Sequence, residues 1–324
     1  MQDNKMKKLR AAVIGVGYLG KFHAQKYAML DNVELIGVVD VNKENAKKIA
    51  DEVGTEAFTD YKELFGKIDI ASIVVPTPYH HEVGKDCLNN GVDILLEKPM
   101  TTTIEEANEL IEIADKKGRL IQVGHLERYN PAVVALKDTI KEPMFIESHR
   151  LSFYQERGTD VSVVLDLMIH DIDIILNFVK SDVKHIHAAG APIISGNVDI
   201  ANVRLEFESG CIANITASRI SSKVQRKIRL FQKDAYVSVD FAEKSIDIIQ
   251  QDTSKTDGPL PGMISKKLPI VESDALEEEI RAFVESVNSK KTPAVSGEVG
   301  RDALKIALTV MDQIQNSTEN WGKA

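Results

Sequence analysis

The chain has 324 residues, of which 43% are hydrophobic and 27% charged, enough for about two domains with buried cores and unlike a disordered, collagen-like or coiled-coil sequence. Lys plus Arg number 40 against 49 Asp plus Glu, and the formal net charge of −9 offers no overall positive field to nucleic acid or anionic lipid, so neither partner is expected. Cys87 and Cys211 are too few for a disulfide framework and lack zinc spacing, which fits a reducing cytoplasm, and no apolar stretch approaches the ~20 residues of a membrane span.

From Leu9 to Val123 short apolar runs alternate with amphipathic stretches, which predicts strands at 10–14, 34–39, 70–75, 93–96 and 120–123 with helices between them in a parallel, doubly wound sheet. Thr103 with Glu106 reads as a capping box, and Gly118 suits the end of the helix that follows. Asn130-Pro131 opens another helix beyond a domain boundary near residue 123. The chain then divides into 1–123 and 124–324. After an apolar helix over 163–179, β-rich runs follow one another at turn spacing (183–189, 199–207, 211–218, 226–232, 235–241, 245–249), which predicts an α+β domain with a mainly antiparallel sheet. The stretch 251–269 reads as a loop, Asp274 with Glu277 starts a helix, and a last amphipathic helix over about 301–315 could pack back on the first domain.

Gly15-Val16-Gly17-Tyr18-Leu19-Gly20 has the form G-x-G-x-x-G and lies between a strand and a helix, where its glycines allow a tight turn and close backbone approach. The helix start adds free amides and roughly half a positive charge, a setting for a pyrophosphate. Asp40 ends the second strand 20 residues beyond Gly20, the spacing at which a carboxylate accepts hydrogen bonds from adenosine ribose hydroxyls. Such a carboxylate repels the 2′-phosphate of NADP and favours NAD.

Three further groups draw attention. The loop Pro76-Thr77-Pro78-Tyr79-His80-His81 follows a strand at the edge where ligands bind in open parallel sheets, although proline also serves as mere punctuation. Glu97-Lys98-Pro99 follows the next strand; Lys98 could hold a substrate hydroxyl or stand in solvent. Asp166, His170 and Asp173 fall at i, i+4 and i+7 on one helix face, which admits a metal site, a core histidine paired with Asp166, or a general base. No Cys or His motif adds to the metal alternative, and none is expected.

The Gly15 motif, Asp40, Thr77-Pro78 with His81, Glu97-Lys98-Pro99 and Asp166-x-x-x-His170 stand in the order found in the Gfo/Idh/MocA family, which this chain resembles over nearly its whole length. The resemblance implies a Rossmann domain followed by an open antiparallel sheet, hydride transfer to NAD, and Lys98, Asp166 and His170 as active-site residues. It also implies cofactor contacts from Gly15, Gly17, Tyr18, Leu19, Gly20, Asp40, Thr77, Pro78, His81, Glu97 and Lys98, and a homodimer or homotetramer formed through the C-terminal sheet. The segments 123–133 and 158–173 resemble the branch that oxidises C3 of nucleotide sugars such as UDP-N-acetylglucosamine, with Lys98, Arg128, Tyr129, Arg157, Asp166 and His170 on the substrate. Other outcomes within the family are an inositol or aldose dehydrogenase, an NAD-dependent glycoside hydrolase and a non-catalytic NAD-binding regulator.

Overall fold

Three consecutive strands of the first domain, Ile70–Ile73, Asp93–Glu97 and Ile121–Gly124, are buried from end to end and expose neither face, as a parallel sheet covered by helices on both sides requires. A computed structural model of the chain describes residues 8–155, 161–252, 254 and 262–318. Its first sheet contains β1 (Leu9–Ile14), β2 (Val33–Val39), β3 (Glu56–Phe58), β4 (Ile70–Ile73), β5 (Asp93–Glu97) and β6 (Ile121–Gly124), paired in the order β3-β2-β1-β4-β5-β6 with every pair parallel. The order reverses between β1 and β4, which opens a crevice at their carboxyl ends.

Helices α1 (Gly20–Met29), α2 (Lys43–Val53), α3 (His80–Asn89) and α4 (Ile104–Lys117) connect these strands. The Thr103–Glu106 capping box forms as the sequence predicts, and Gly118 ends α4 at a φ of 60°. Asn42 caps α2 by accepting hydrogen bonds from the amides of Glu44 and Asn45. β3 is unforeseen because three residues with two exposed side chains carry no readable alternation.

A second sheet holds β7 (Pro143–Leu151), β8 (Val183–Ala191), β9 (Ile200–Phe207), β10 (Ile212–Ser218), β11 (Gln225–Gln232), β12 (Ala235–Asp240), β13 (Ser245–Gln251) and β14 (Met263–Lys267). Its order is β14-β13-β12-β11-β7-β10-β9-β8, antiparallel except where β7 meets β10. The sequence gives no hint of β7, although it lies inside the sheet. Its buried face carries Ser148 and Arg150 beside Ile146, so polarity does not alternate with burial. β14 replaces part of the predicted loop 251–269; it is an edge strand with exposed Ser265, Lys266 and Lys267, a composition that blunts further pairing.

The helix α5 (Pro131–Ala135) begins at the Asn130 cap, and α6 (Ile169–Val179) follows a π-helical turn over Val164–Met168. Ile169, Ile172 and Ile175 join Ile146, Val203, Leu205, Ile215, Leu230 and Val237 in the core on one face of the sheet. On the other face, registered pairing lines up Ile249, Tyr236, Phe231, Phe145 and Ile212, all only partly buried.

The chain forms two compact units, one with the residues up to Tyr129 and Asp274–Asp302, the other with Asn130–Ser273 and the residues from Ala303 on. The division is therefore discontinuous, whereas the sequence suggests a single boundary near 123. The reason lies in α7 (Ala275–Ser289), capped by Asp274, whose Ile280, Phe283 and Val284 are buried with Ala11, Val13 and Tyr27 of the parallel sheet and its helix. In α8 (Gly297–Thr318) the buried residues Ala303, Ala307, Val310 and Ile314 belong to the second unit's core.

Candidate functional site

In the first unit a cavity of about 820 Å³ opens at the carboxyl ends of β1, β2, β4 and β5, lined among others by Gly15, Gly17, Asp40, Thr77, His80 and Lys98. That volume suits a bound cofactor. Gly15 turns the chain at a φ of 87°, and a Cβ there would come 2.7 Å from the Val74 carbonyl oxygen. At Gly20 a Cβ would overlap the Gly15 carbonyl oxygen, so this glycine serves close packing of α1 on the turn. Gly17 faces open space, with no atom of the described residues other than its chain neighbours within 4 Å of an added Cβ, which leaves its backbone approachable by a pyrophosphate.

Asp40 sits just past β2, where the backbone turns towards α2. Its Oδ2 accepts hydrogen bonds from the Val16 amide at 3.3 Å and Asn45 Nδ2 at 2.7 Å, and its Oδ1 accepts from the Asn42 amide at 2.9 Å. The open glycine turn, this carboxylate and the apolar walls from Leu19, Val39, Val74 and Val75 fit an NAD molecule. Leu19 lines the cavity; Tyr18 does not, since its exposed ring packs edge-on against Phe22 with centroids 5.8 Å apart.

The proline loop divides between the cavity and its surroundings. Thr77 lines the cavity, but Pro78 and His81 do not. His81 Nε2 lies 2.8 Å from Glu109 Oε2, turned towards α4. It is His80 that is buried against the cavity, its ring nitrogens 2.8 Å from the Val75 carbonyl oxygen and 3.0 Å from that of Pro99. Burial pushes the His80 pKa down despite these two acceptors. The loop closes as a 3-10 turn over Thr77–Tyr79 that runs into α3, so adjacent histidines diverge by about 100° and only one faces inward.

At the end of β5, Glu97 is buried, Lys98 lines the cavity and the Lys98–Pro99 bond is cis. Beneath them runs a chain of side chains absent from the sequence reading. Tyr27 OH is 3.0 Å from Ser72 Oγ, Ser72 Oγ is 3.1 Å from His23 Nδ1, and His23 Nε2 is 3.2 Å from Glu97 Oε1. One proton arrangement satisfies every partner: Tyr27 donates to Ser72, Ser72 to Nδ1, and the Nε2–H of a neutral imidazole to an ionised Glu97. Glu97 Oε2 in turn accepts from the Lys98 amide at 3.2 Å. Burial drives the Glu97 carboxyl up, but His23, the Lys98 charge and that amide together hold its pKa below the ordinary value. The available signal was a histidine three residues beyond Gly20, on the helix face turned to the sheet.

In the second unit the π turn carries Asp166, and His170 stands in the first turn of α6; both are half-buried, while Asp173 is buried. Simple helical periodicity does not reveal such a turn, a feature common at functional sites. Asp171, next to His170, is held by Arg150 of β7 through a two-pronged buried ion pair, Nε to Oδ2 at 2.7 Å and Nη2 to Oδ1 at 3.2 Å. Among the described residues no group of three or more His, Cys, Asp or Glu is placed to hold a metal ion. Arg128 and Tyr129 occupy a short 3-10 turn in the first unit, not the second where the sequence assigns them, and Tyr129 packs against that unit's core. Arg157 lies outside the described residues.

Comparison with known proteins matches residues 9–125 to the model of the GFO/IDH/MocA oxidoreductase family, NAD-binding Rossmann fold, and residues 138–237 to the GFO/IDH/MocA C-terminal domain. The chain is 35% identical over 303 residues to UDP-N-acetylglucosamine 3-dehydrogenase of Acidithiobacillus ferrooxidans, covering 93% of this chain and 96% of that one. A solved structure of the A. ferrooxidans enzyme superposes with a TM-score of 0.90 at 33% identity, covering 96% of this chain and 99% of the other. A scyllo-inositol 2-dehydrogenase (NAD(+)) of Bacillus subtilis is 29% identical over 236 residues, 66% of this chain and 68% of that one.

Proposed function

The chain belongs to the Gfo/Idh/MocA family of NAD-binding oxidoreductases, and on that footing we propose that it oxidises C3 of UDP-N-acetylglucosamine, or of a closely similar nucleotide sugar, to the ketone. Bound NAD supplies the hydride acceptor. His170 takes the proton of the C3 hydroxyl, Asp166 orients the imidazole, and Lys98 holds the hydroxyl oxygen. A positioned general base contributes about 10² to 10⁴ in rate, and alignment of the reactants contributes the remainder. Arg128 and Arg157 offer guanidinium groups for the diphosphate, which a chain of net charge −9 must recognise through local cations.

The observation that carries this reading is the cavity in the first unit, where the glycine turn, Asp40 and Lys98 converge at the switch point of a parallel sheet. The protein works in the cytoplasm as a homo-oligomer paired through the open face of its eight-stranded sheet. Support for that pairing comes from the partly exposed row of Tyr236, Phe231 and Phe145, with ring centroids 4.9 and 5.8 Å apart. The neighbouring row carries an Arg229–Glu147 pair at 3.1 Å, the mixture of apolar and polar groups usual at interfaces.

The test supplies UDP-N-acetylglucosamine deuterated at C3 together with NAD and follows deuterium into NADH, with an amine trap to draw off the ketone. Transfer is expected from this substrate. Transfer from an inositol or a free aldose alone refutes the nucleotide-sugar assignment and leaves a family dehydrogenase.

A further inference from the structure

We infer that Asn45 is a cofactor-selectivity residue, whose side-chain amide fixes the rotamer of Asp40 and so keeps one carboxylate oxygen directed at the adenosine ribose. The inference rests on the reading of the first-unit cavity as the NAD site and adds a residue that neither the glycine motif nor the spacing to Asp40 contains.

A carboxylate has about four acceptor positions, two on each oxygen. Asp40 Oδ2 receives Asn45 Nδ2 at 2.7 Å and the Val16 amide at 3.3 Å, so it is full. Oδ1 receives only the Asn42 amide at 2.9 Å among the described residues and retains a position for a ribose hydroxyl. Asn45 spends both of its side-chain hydrogens here, since Nδ2 also donates to the Val16 carbonyl oxygen at 3.0 Å. Asn45 thus ties the carboxylate to the glycine turn through the Val16 carbonyl, while the carboxylate itself accepts from the Val16 amide.

Asn45 is itself well anchored. It lies in the first turn of α2, half-buried, and its amide donates to the capping Asn42 Oδ1 at 3.2 Å. Of the two contacts to Oδ2, the one from Val16 is the longer, 3.3 Å against 2.7 Å, so loss of Asn45 leaves the carboxylate tied mainly through Oδ1. A carboxylate rotated about that remaining contact presents its free acceptor elsewhere. It also moves its charge away from the position where a 2′-phosphate would be repelled. Affinity for NADH should then fall while affinity for NADPH holds or rises.

The test needs no sugar substrate. Dissociation constants for NADH and NADPH are measured by fluorescence of the bound reduced nicotinamide for the parent, Asn45→Ala, Asp40→Ala and the double variant. The parent should prefer NADH, and Asn45→Ala should reduce that preference by about tenfold or more, the scale of a hydrogen bond to a charged group. In the Asp40→Ala background the same change should leave the preference unmoved, because the carboxylate it positions is gone. An unchanged preference in Asn45→Ala, an equal loss for both cofactors, or the same effect with and without Asp40 overturns the proposal. A parent that binds both cofactors equally refutes Asp40 as discriminator and the proposal with it. A parent that binds neither refutes the cofactor site itself.

Discussion

Replacing His23 by alanine probes the chain of buried side chains beneath Lys98. In the parent the imidazole is wholly buried and the Glu97 side chain is 11% exposed, so the substitution removes a donor from a carboxylate with little access to bulk water. Loss of a hydrogen bond to a buried charge costs about 1.5–3 kcal/mol, and an uncompensated buried ion raises the figure towards 3–5 kcal/mol. A destabilisation of about 2–4 kcal/mol at pH 7 is expected. Its pH dependence is more telling than its size. In the parent, Glu97 is held below its ordinary pKa, so its contribution is present above the unfolded carboxyl value of about 4.3 and disappears as pH falls through the folded value. Without His23, burial is opposed by the Lys98 charge and amide without the imidazole, the carboxyl rises relative to the parent, and less of this contribution is gained as pH rises. The gap between parent and variant should therefore widen from pH 4.5 to pH 7. Urea denaturation followed by far-UV circular dichroism at several pH values measures it. A gap that is constant with pH, or one under about 1 kcal/mol at pH 7, would refute an ionised Glu97 held by His23.

Lys98→Ala and His170→Ala should each lower turnover by at least about 10²-fold while NADH affinity stays within a few-fold of the parent, as steady-state rates beside fluorescence titration will show. Asp199 is buried and accepts hydrogen bonds from the Ser195 hydroxyl and the amides of Ile193, Ile194 and Ser195; these outweigh desolvation and hold its pKa at about 2. Asp199→Asn should cost roughly 2 kcal/mol at pH 7, and the parent's advantage should shrink as pH falls from 4 towards 2, a trend that thermal melts across that range can follow. Arg150→Met strands the buried Asp171 and should destabilise by about 3–5 kcal/mol, whereas Arg150→Met with Asp171→Leu should recover much of the loss in the same melts.

Much of the first unit was legible because its signals are local. The glycine turn, the Asp40 spacing, the Thr103–Glu106 cap and the apolar runs each lie within one strand–helix repeat, and each forms as read. The alternation over 199–218 and 226–249 likewise announced antiparallel strands, since a half-exposed sheet imprints its two faces on the sequence. Where that imprint fails, the reading fails with it: β7 hides Arg150 and Ser148 on its buried face, and β14 borrows its register from β13 with little apolar content of its own.

What only the tertiary structure decided are the pairings between residues far apart in the chain. The return of α7 to the first unit depends on Ile280 and Phe283 meeting Tyr27 and Val13, contacts that no local pattern encodes. The choice between His80 and His81 was set by which side of one helical turn faces the cavity and which faces Glu109. His23 reaches Glu97 across 74 positions, and Arg150 reaches Asp171 across 21, in each case because burial makes an unpaired charge or donor too costly to leave alone. Short-range sterics and periodicity determined the strands, helices and turns; desolvation, which acts only once the chain has closed around a polar group, determined which partner each buried group must find.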